Sequence, residues 1–257
     1  RVLSTQWDRN NEDFVDHYLY ILRESNVRPE LEIVSTLPNN SRPEEIGKPN
    51  ESLYGVRFLG DVAYAVTFQQ IDPLYAIDLS DPADPFIAGE LEVTGFSDFL
   101  HPVTDDLLLG LGRSAEGGIK VELFDVSNIA QPLSRGRTII GGRGSHSEAL
   151  YNRHAFTYQA DVNGIDRFTI PAHVYATDGS WDYLGSSLYL FEIRDKTMPA
   201  VAALNSVGSI SPPSVGSTPD WVERSRAFIH DDTVYYVRDE TVWAAFWHTP
   251  SIVNGPF

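Results

Sequence analysis

The chain has 257 residues, 42% hydrophobic and 12% aromatic, enough for a packed core and inconsistent with wholesale disorder. Its formal charge of −17 argues against nucleic-acid and anionic-membrane partners, which both call for basic patches. The absence of cysteine removes disulfides, thiolate chemistry and cysteine-ligated zinc, and no apolar run approaches the roughly 18 residues of a spanning helix, so membrane insertion is not expected.

Taken in chain order, the apolar alternation predicts short strands throughout and requires no helix. RVLSTQW (1–7), HYLYIL (17–22) and LEIVSTL (31–37) read as three strands, the first two separated by a polar acidic loop. PNNSRPEEIGKPN (38–50) is a surface connection, rich in Pro, Asn and charge. Next comes a four-strand unit over 51–93, in which Gly60-Asp61 turns between the first two strands and the loop QQIDP leads into the third. A second unit over 97–141 repeats the order, with Asp105-Asp106 and Gly117-Gly118 in its turns. A third, over 145–207, is expected to start with a strand at 147–151, turn at Asn152-Arg153, and carry an insertion at about 160–186. After the connection SISPPSVGSTPD, three strands over 222–248 close the chain, with Asp231-Asp232 and Asp239-Glu240 as turns.

One piece of grammar recurs in each full unit: LYAIDLSDPADPFIAGEL, VELFDVSNIAQPLSRGRT and LYLFEIRDKTMPAVAAL. Each has an alternating run, an acid (Asp78, Asp125, Glu192), a polar turn, a proline (Pro85, Pro132, Pro199) and a second run. Paired strands recurring at such intervals mark a radial β-repeat. The expected fold is all-β, one β-propeller domain over 1–257, incomplete in this chain, with three near-complete four-stranded antiparallel blades and two partial ones. In that register residues 1–38 supply strands two to four of a blade, and 222–248 supply strands one to three of another. Residues upstream of Arg1 are therefore expected to belong to the same fold, since an unpaired inner edge is an aggregation hazard.

The strings ESLYGVRFLGDVAYAVTFQQIDPLYAIDLSDP, GFSDFLHP and GGRGSHSEALYNRHAF, with RVLSTQW…HYLYIL at one end and RSRAFIHDDTVYYVRD at the other, resemble the secreted bacterial and archaeal C-terminal β-propeller domain family. The resemblance implies a propeller, export to the cell envelope or beyond, and further propeller sequence upstream. It implies no activity and carries over no catalytic residue.

Several residue groups invite chemistry. His101, in SDFLHP near Asp98, suits a general base or metal ligand, and equally a strand-capping residue bonded to a neighbouring blade. His146 and Glu148 share a face if they lie on one strand, and His154 would approach them across the expected hairpin, so His101, His146, Glu148 and His154 form the candidate metal set. The glycine-rich run 141–145 lacks a following helix and the Gly-Lys-Ser/Thr ending, which favours a tight connection over a phosphate loop. Asp78, Asp81 and Asp84 would suit a structural calcium, but the second copy replaces two of them by Asn128 and Gln131, as turn formers allow. Trp243 and Trp247 sit in a nearly continuous apolar run and read as core. His173, Tyr175, Trp181 and Tyr183, in the insertion, remain as a candidate recognition loop. The sequence favours a non-catalytic binding or assembly module for a protein or other extracellular ligand, with no cofactor. The alternatives are a metal-assisted hydrolase or lyase using the histidines, and a structural subunit of an extracellular filament or surface assembly.

Overall fold

A computed structural model describes residues 1–7, 15–68, 72–213, 224–238 and 240–257. The acidic loop after Trp7, the QQIDP loop, most of the SISPPSVGSTPD connection, and Asp239 fall wholly or partly outside the described residues.

Among the described residues the strands form five antiparallel sheets in chain order. The first holds β1 (Val2–Trp7), β2 (Val15–Glu24) and β3 (Leu31–Leu37). The second holds β4 (Ser52–Leu59), β5 (Val62–Phe68), β6 (Asp72–Asp78) and β7 (Phe86–Val93). β8 (Phe96–Thr104), β9 (Leu107–Arg113), β10 (Ile119–Asp125) and β11 (Leu133–Ile140) make the third. The fourth is built from β12 (Thr157–Val162), β13 (Ile165–Tyr175), β14 (Tyr183–Arg194) and β15 (Ala203–Ile210). β16 (Arg226–His230), β17 (Thr233–Arg238) and β18 (Thr241–Phe246) complete the set.

A recurring β-bulge fixes which strand is which. In each four-stranded sheet the pairing of the third and fourth strands shifts register, at Ala76/Ile77, Leu123/Phe124 and Leu190/Phe191. The same shift occurs between β2 and β3, at Ile21/Leu22, and the β17–β18 pairing has none. The first sheet therefore contains strands two to four of a blade, and the fifth contains strands one to three. A second marker agrees: Leu79, Val126 and Trp247, each just past a third strand, donate their backbone N–H to the carbonyls of Asp61, Asp106 and Asp232.

The sheets pack face to face. One apolar cluster joins the first and second sheets through Leu19, Leu37, Ala65 and Ile77, and another joins the second and third through Tyr64, Leu74, Leu108 and Phe124. Leu109, Val121, Phe168 and Phe191 link the third to the fourth, and Leu190, Tyr236, Trp243 and Trp247 link the fourth to the fifth. Every residue of β10 is buried, with Phe124 turned toward the second sheet and Val121 and Leu123 toward the fourth. This is why the sequence there is nearly continuous in apolar residues rather than alternating. By contrast, β2 alternates between buried and half-buried over most of its length. Trp243 and Trp247 are buried as expected.

The third unit differs from its sequence-based layout. Residues 148–150 and 153–155 form two short 3-10 turns, capped by the Ser147 and Asn152 side chains, where a strand and a hairpin turn were expected. Both caps are short polar residues that accept a backbone N–H two positions on, which favours a turn start over a strand. The first hairpin of the sheet instead turns at Asn163-Gly164, both at positive φ. Most of the stretch expected as an insertion is the sheet's own long second and third strands.

Candidate functional site

β13 and β14 outrun their neighbours. β12 pairs only with the β13 residues 165–169, and β15 pairs only with the β14 residues 188–194. Past both neighbours the two strands continue together, from Ala172↔Ser187 to Tyr175↔Tyr183, as a two-stranded ribbon at the end of the fourth sheet. The connection from the third sheet edges this ribbon. His146 and His173 exchange both backbone bonds, at 3.0 and 2.9 Å, and the Gly142 N–H donates to the Tyr175 carbonyl at 2.9 Å. The Tyr175 N–H donates to Ser145 Oγ at 3.0 Å. The glycine-rich run is needed for this approach, since a Cβ on Gly142 would lie 2.1 Å from the Ala176 carbonyl oxygen, and Gly144 takes φ +95°. It is a tight connection between the third and fourth sheets.

The ribbon gathers all four residues nominated for recognition. The His173 ring stacks on Tyr183, with centroids 4.3 Å apart, and Tyr175 lies 5.5 Å from His173 and 5.7 Å from Tyr183. Ser186, directly across from His173, ties the group together: its Oγ is 3.0 Å from His173 Nδ1 and 2.9 Å from the Tyr183 hydroxyl. Gly144 runs between Trp181 and Tyr175, where a Cβ would sit 3.2 and 3.3 Å from their rings. The Arg143 guanidinium covers one face of Trp181, 5.4 Å from the ring centroid, and the His146 ring lies 4.8 Å from that of His173. His173 is buried and Trp181 is 58% exposed, while Tyr183 is 39% exposed and Leu184 66%. Such an arrangement offers rigid apolar faces rimmed by hydroxyl and guanidinium groups, supported from beneath by bonded polar side chains. That suits recognition, because Trp and Tyr give large contact area at small entropic cost.

Arg143, His146 and Ser186 were not assigned to this surface by sequence. Ser186 enters through cross-strand register and Arg143 through a loop closure, neither of which has a local signature.

The residues nominated as metal ligands do not assemble. Among the described residues no group of three His, Asp or Glu side chains stands close enough to hold a metal ion. His146 belongs to the ribbon. Glu148, buried, accepts from the Arg226 Nη1 and Nη2 at 3.0 and 3.1 Å and from the Arg224 backbone N–H at 2.6 Å, and Asn152 Nδ2 also donates to it. Burial alone would raise its carboxyl pKa, but the Arg226 bond and the other donors hold it below the usual value. Glu148 thus ties the turn that precedes the fourth sheet to the first strand of the fifth, beside the direct Arg167–Asp232 pair at 3.0 Å between those two sheets. His154 is exposed on the second 3-10 turn rather than across a hairpin from His146, because the predicted hairpin is absent.

His101 lies elsewhere, on β8, its ring 4.3 Å from that of Tyr158 and 5.1 Å from that of Phe156. Burial, then the charge of Arg57, and to a smaller degree that of Arg153, push its pKa down to about 4 against an opposing effect of Asp166. Nearby Asp98 is the bulged residue of the same strand. Its Oδ2 is buried without a hydrogen-bond partner among the described residues, and burial raises its carboxyl to about 6.

The acidic turn follows turn chemistry. Asp78 and Asp81 each accept a backbone N–H two residues on, and Asp84 receives a two-pronged bond from Arg42 at 3.0 and 2.7 Å. The repeated acid of the grammar has different duties in different copies. Asp125 accepts from Ser127 and from Arg135 across the sheet, whereas Glu192 accepts from Arg194 and, at 2.7 Å, from Trp247 Nε1 of the fifth sheet.

Comparison with known proteins agrees with this architecture. A family model described as a beta propeller domain matches residues 1–249. An uncharacterised protein of Archaeoglobus fulgidus is 37% identical over 196 residues, covering 76% of this chain and 26% of its own length. An uncharacterised protein of Methanocaldococcus jannaschii is 36% identical over 201 residues, covering 78% of this chain and 28% of its own. The chain thus spans about a quarter of the length of these curated relatives. With a family model spanning nearly its full length and five sheets in blade register, the chain belongs to the beta propeller domain family.

Proposed function

We propose that this chain is an exported, non-catalytic binding or assembly module whose recognition element is the ribbon at the end of its fourth sheet. The single observation that carries this reading is the cluster of His173, Tyr175, Trp181 and Tyr183, in which Ser186 bonds His173 and Tyr183 and the Trp181 ring is left exposed. Loops and extensions on a rigid repeat scaffold are where binding concentrates, because the scaffold stays ordered while they vary. The partner is a protein or another extracellular ligand with an apolar or planar surface to set against the rings.

A second contact follows from the end sheets. Phe246 at 63% exposure on β18 and Ile33 at 61% on β3 leave apolar groups outward on the two end sheets. Further sheets of the same longer polypeptide would cover them.

The test is a pull-down from the envelope or culture fraction of the source cells, comparing the wild type with Trp181→Ala/Tyr183→Ala. Loss of a specific captured partner with an unchanged melting temperature supports the ribbon. Equal capture by both proteins assigns recognition elsewhere.

A further inference from the structure

His101 was nominated as a metal ligand, and the charges around it are of the wrong sign for a cation. Arg57 and His101 occupy matching positions on neighbouring innermost strands: Arg57 on β4 pairs with Tyr64 of its second strand, and His101 on β8 pairs with Leu109. These two inner strands approach so closely that a Cβ on Gly55 would lie 2.8 Å from the Ser97 carbonyl oxygen. Arg57 is half-buried, and its Nε is buried with no hydrogen-bond partner among the described residues. In a chain with 36 acidic and 19 basic side chains, an unpartnered buried guanidinium nitrogen is unexpected and costly. From the other side, the Arg153 guanidinium lies over Phe99, 5.0 Å from its centroid, and the Phe99 and His101 rings are 6.1 Å apart. The acid whose charge opposes them at His101 is Asp166, which is already engaged by Lys196 at 2.6 Å, by the Tyr158 hydroxyl and by the Asp161 backbone N–H.

We propose that Arg57, His101 and Arg153 form a binding site for a small carboxylate between the first strands of the second and third sheets and the 3-10 turn that precedes the fourth. Arg57 supplies a planar fork of N–H donors that matches a carboxylate, and a neutral His101 supplies one further N–H beside it. Arg153, exposed, adds positive charge from the side of Phe99. Tyr158 and Phe156 wall the imidazole and lower the local dielectric, which strengthens the ionic contact. A monoanion fits better than phosphate, because the surrounding protein is strongly acidic and penalises every extra negative charge.

The experiment follows the histidine ring signals of the whole chain by NMR during titration, at ionic strength held constant with chloride. The probes are acetate, a blocked Gly-Glu-Gly peptide and inorganic phosphate, and the His101 signal is assigned by its loss in His101→Gln. A saturable shift of that signal with acetate or the peptide is expected, with a Kd of about 1 mM, in the range of a few polar contacts. Tighter binding of the peptide assigns the carboxylate to a protein side chain, and tighter binding of acetate assigns it to a free acid. Arg57→Gln should weaken binding about tenfold or more, and Arg57→Lys less, because it keeps the charge but loses the fork. Melting curves of both variants confirm that each is folded. No saturable shift, saturation by phosphate alone, or undiminished binding by folded Arg57→Gln would each overturn the site.

Discussion

The third and fifth sheets use the same strand grammar under opposite conditions. β9, the second strand of its sheet, is buried at all but its last residue because a sheet packs on each face, whereas β17, the second strand of the fifth sheet, alternates strictly between half-buried and buried. Equivalent positions therefore have different energetic weight. Asp125, at the acid position of β10, is buried against Arg135, and its counterpart on β18 is Phe246, turned outward. The contrast teaches that a propeller residue is stabilised chiefly by the neighbouring sheet, and that the local strand pattern alone does not say whether such a neighbour is present.

The largest expected effect sets a core ring against an outward one. Phe168→Ala, between the third and fourth sheets, should cost about 3–5 kcal/mol in denaturant unfolding. Phe246→Ala should change stability by no more than about 0.5 kcal/mol. Comparable losses at both positions would remove the distinction between central and end sheets.

Next comes the tie to the fifth sheet. Glu148→Ala leaves Arg226 and the Arg224 N–H without their acceptor and should cost about 2–3 kcal/mol. The same carboxylate gives an acid dependence. Its folded pKa is lowered, so its contribution is present above the ordinary carboxylate range and is lost as pH falls through the folded value. A Glu148→Gln variant should show a correspondingly flatter acid limb.

A sharper pH test lies on β8, where two neighbours pull in opposite directions. His101 titrates near 4 in the fold against an ordinary 6.5, so the unfolded chain binds more protons in that window and stability falls on acidification from 6.5 to 4. Asp98 titrates near 6 against 3.8, so the folded chain binds more protons and stability falls as pH rises from 4 to 6. Urea midpoints across pH 4–6.5 should gain a steeper positive slope with pH in Asp98→Asn and a shallower or negative one in His101→Gln. Slopes that move the same way in both variants would contradict these environments.

The smallest effect is at the surface. Asp84→Ala removes the exposed pair with Arg42 and should cost at most about 1 kcal/mol, an effect that added salt reduces. Added calcium should leave the melting temperature of the wild type unchanged if turn chemistry accounts for Asp78, Asp81 and Asp84.

The sequence by itself determined the strand content of four of the five sheets seen among the described residues. Alternation, Gly-Asp and Asp-Asp turns and the recurring acid–turn–proline run all encode structure within a few residues, and they place the strands of the first, second, third and fifth sheets closely. It also nominated His173, Tyr175, Trp181 and Tyr183 from their aromatic rings, and the structure places the first two on β13 and Tyr183 on β14, with Trp181 in the loop between. It misjudged residues 147–155 because Ser147 and Asn152 cap turns with their side chains, a competition that apolar periodicity does not register. Only the tertiary structure decided that Ser186 bonds His173 and Tyr183, that Glu148 serves Arg226 rather than a metal, and that Arg57 and Arg153 flank His101. Each of these depends on which strands pair and which sheets face one another. Those contacts join residues far apart in the chain, and no local pattern carries their distances.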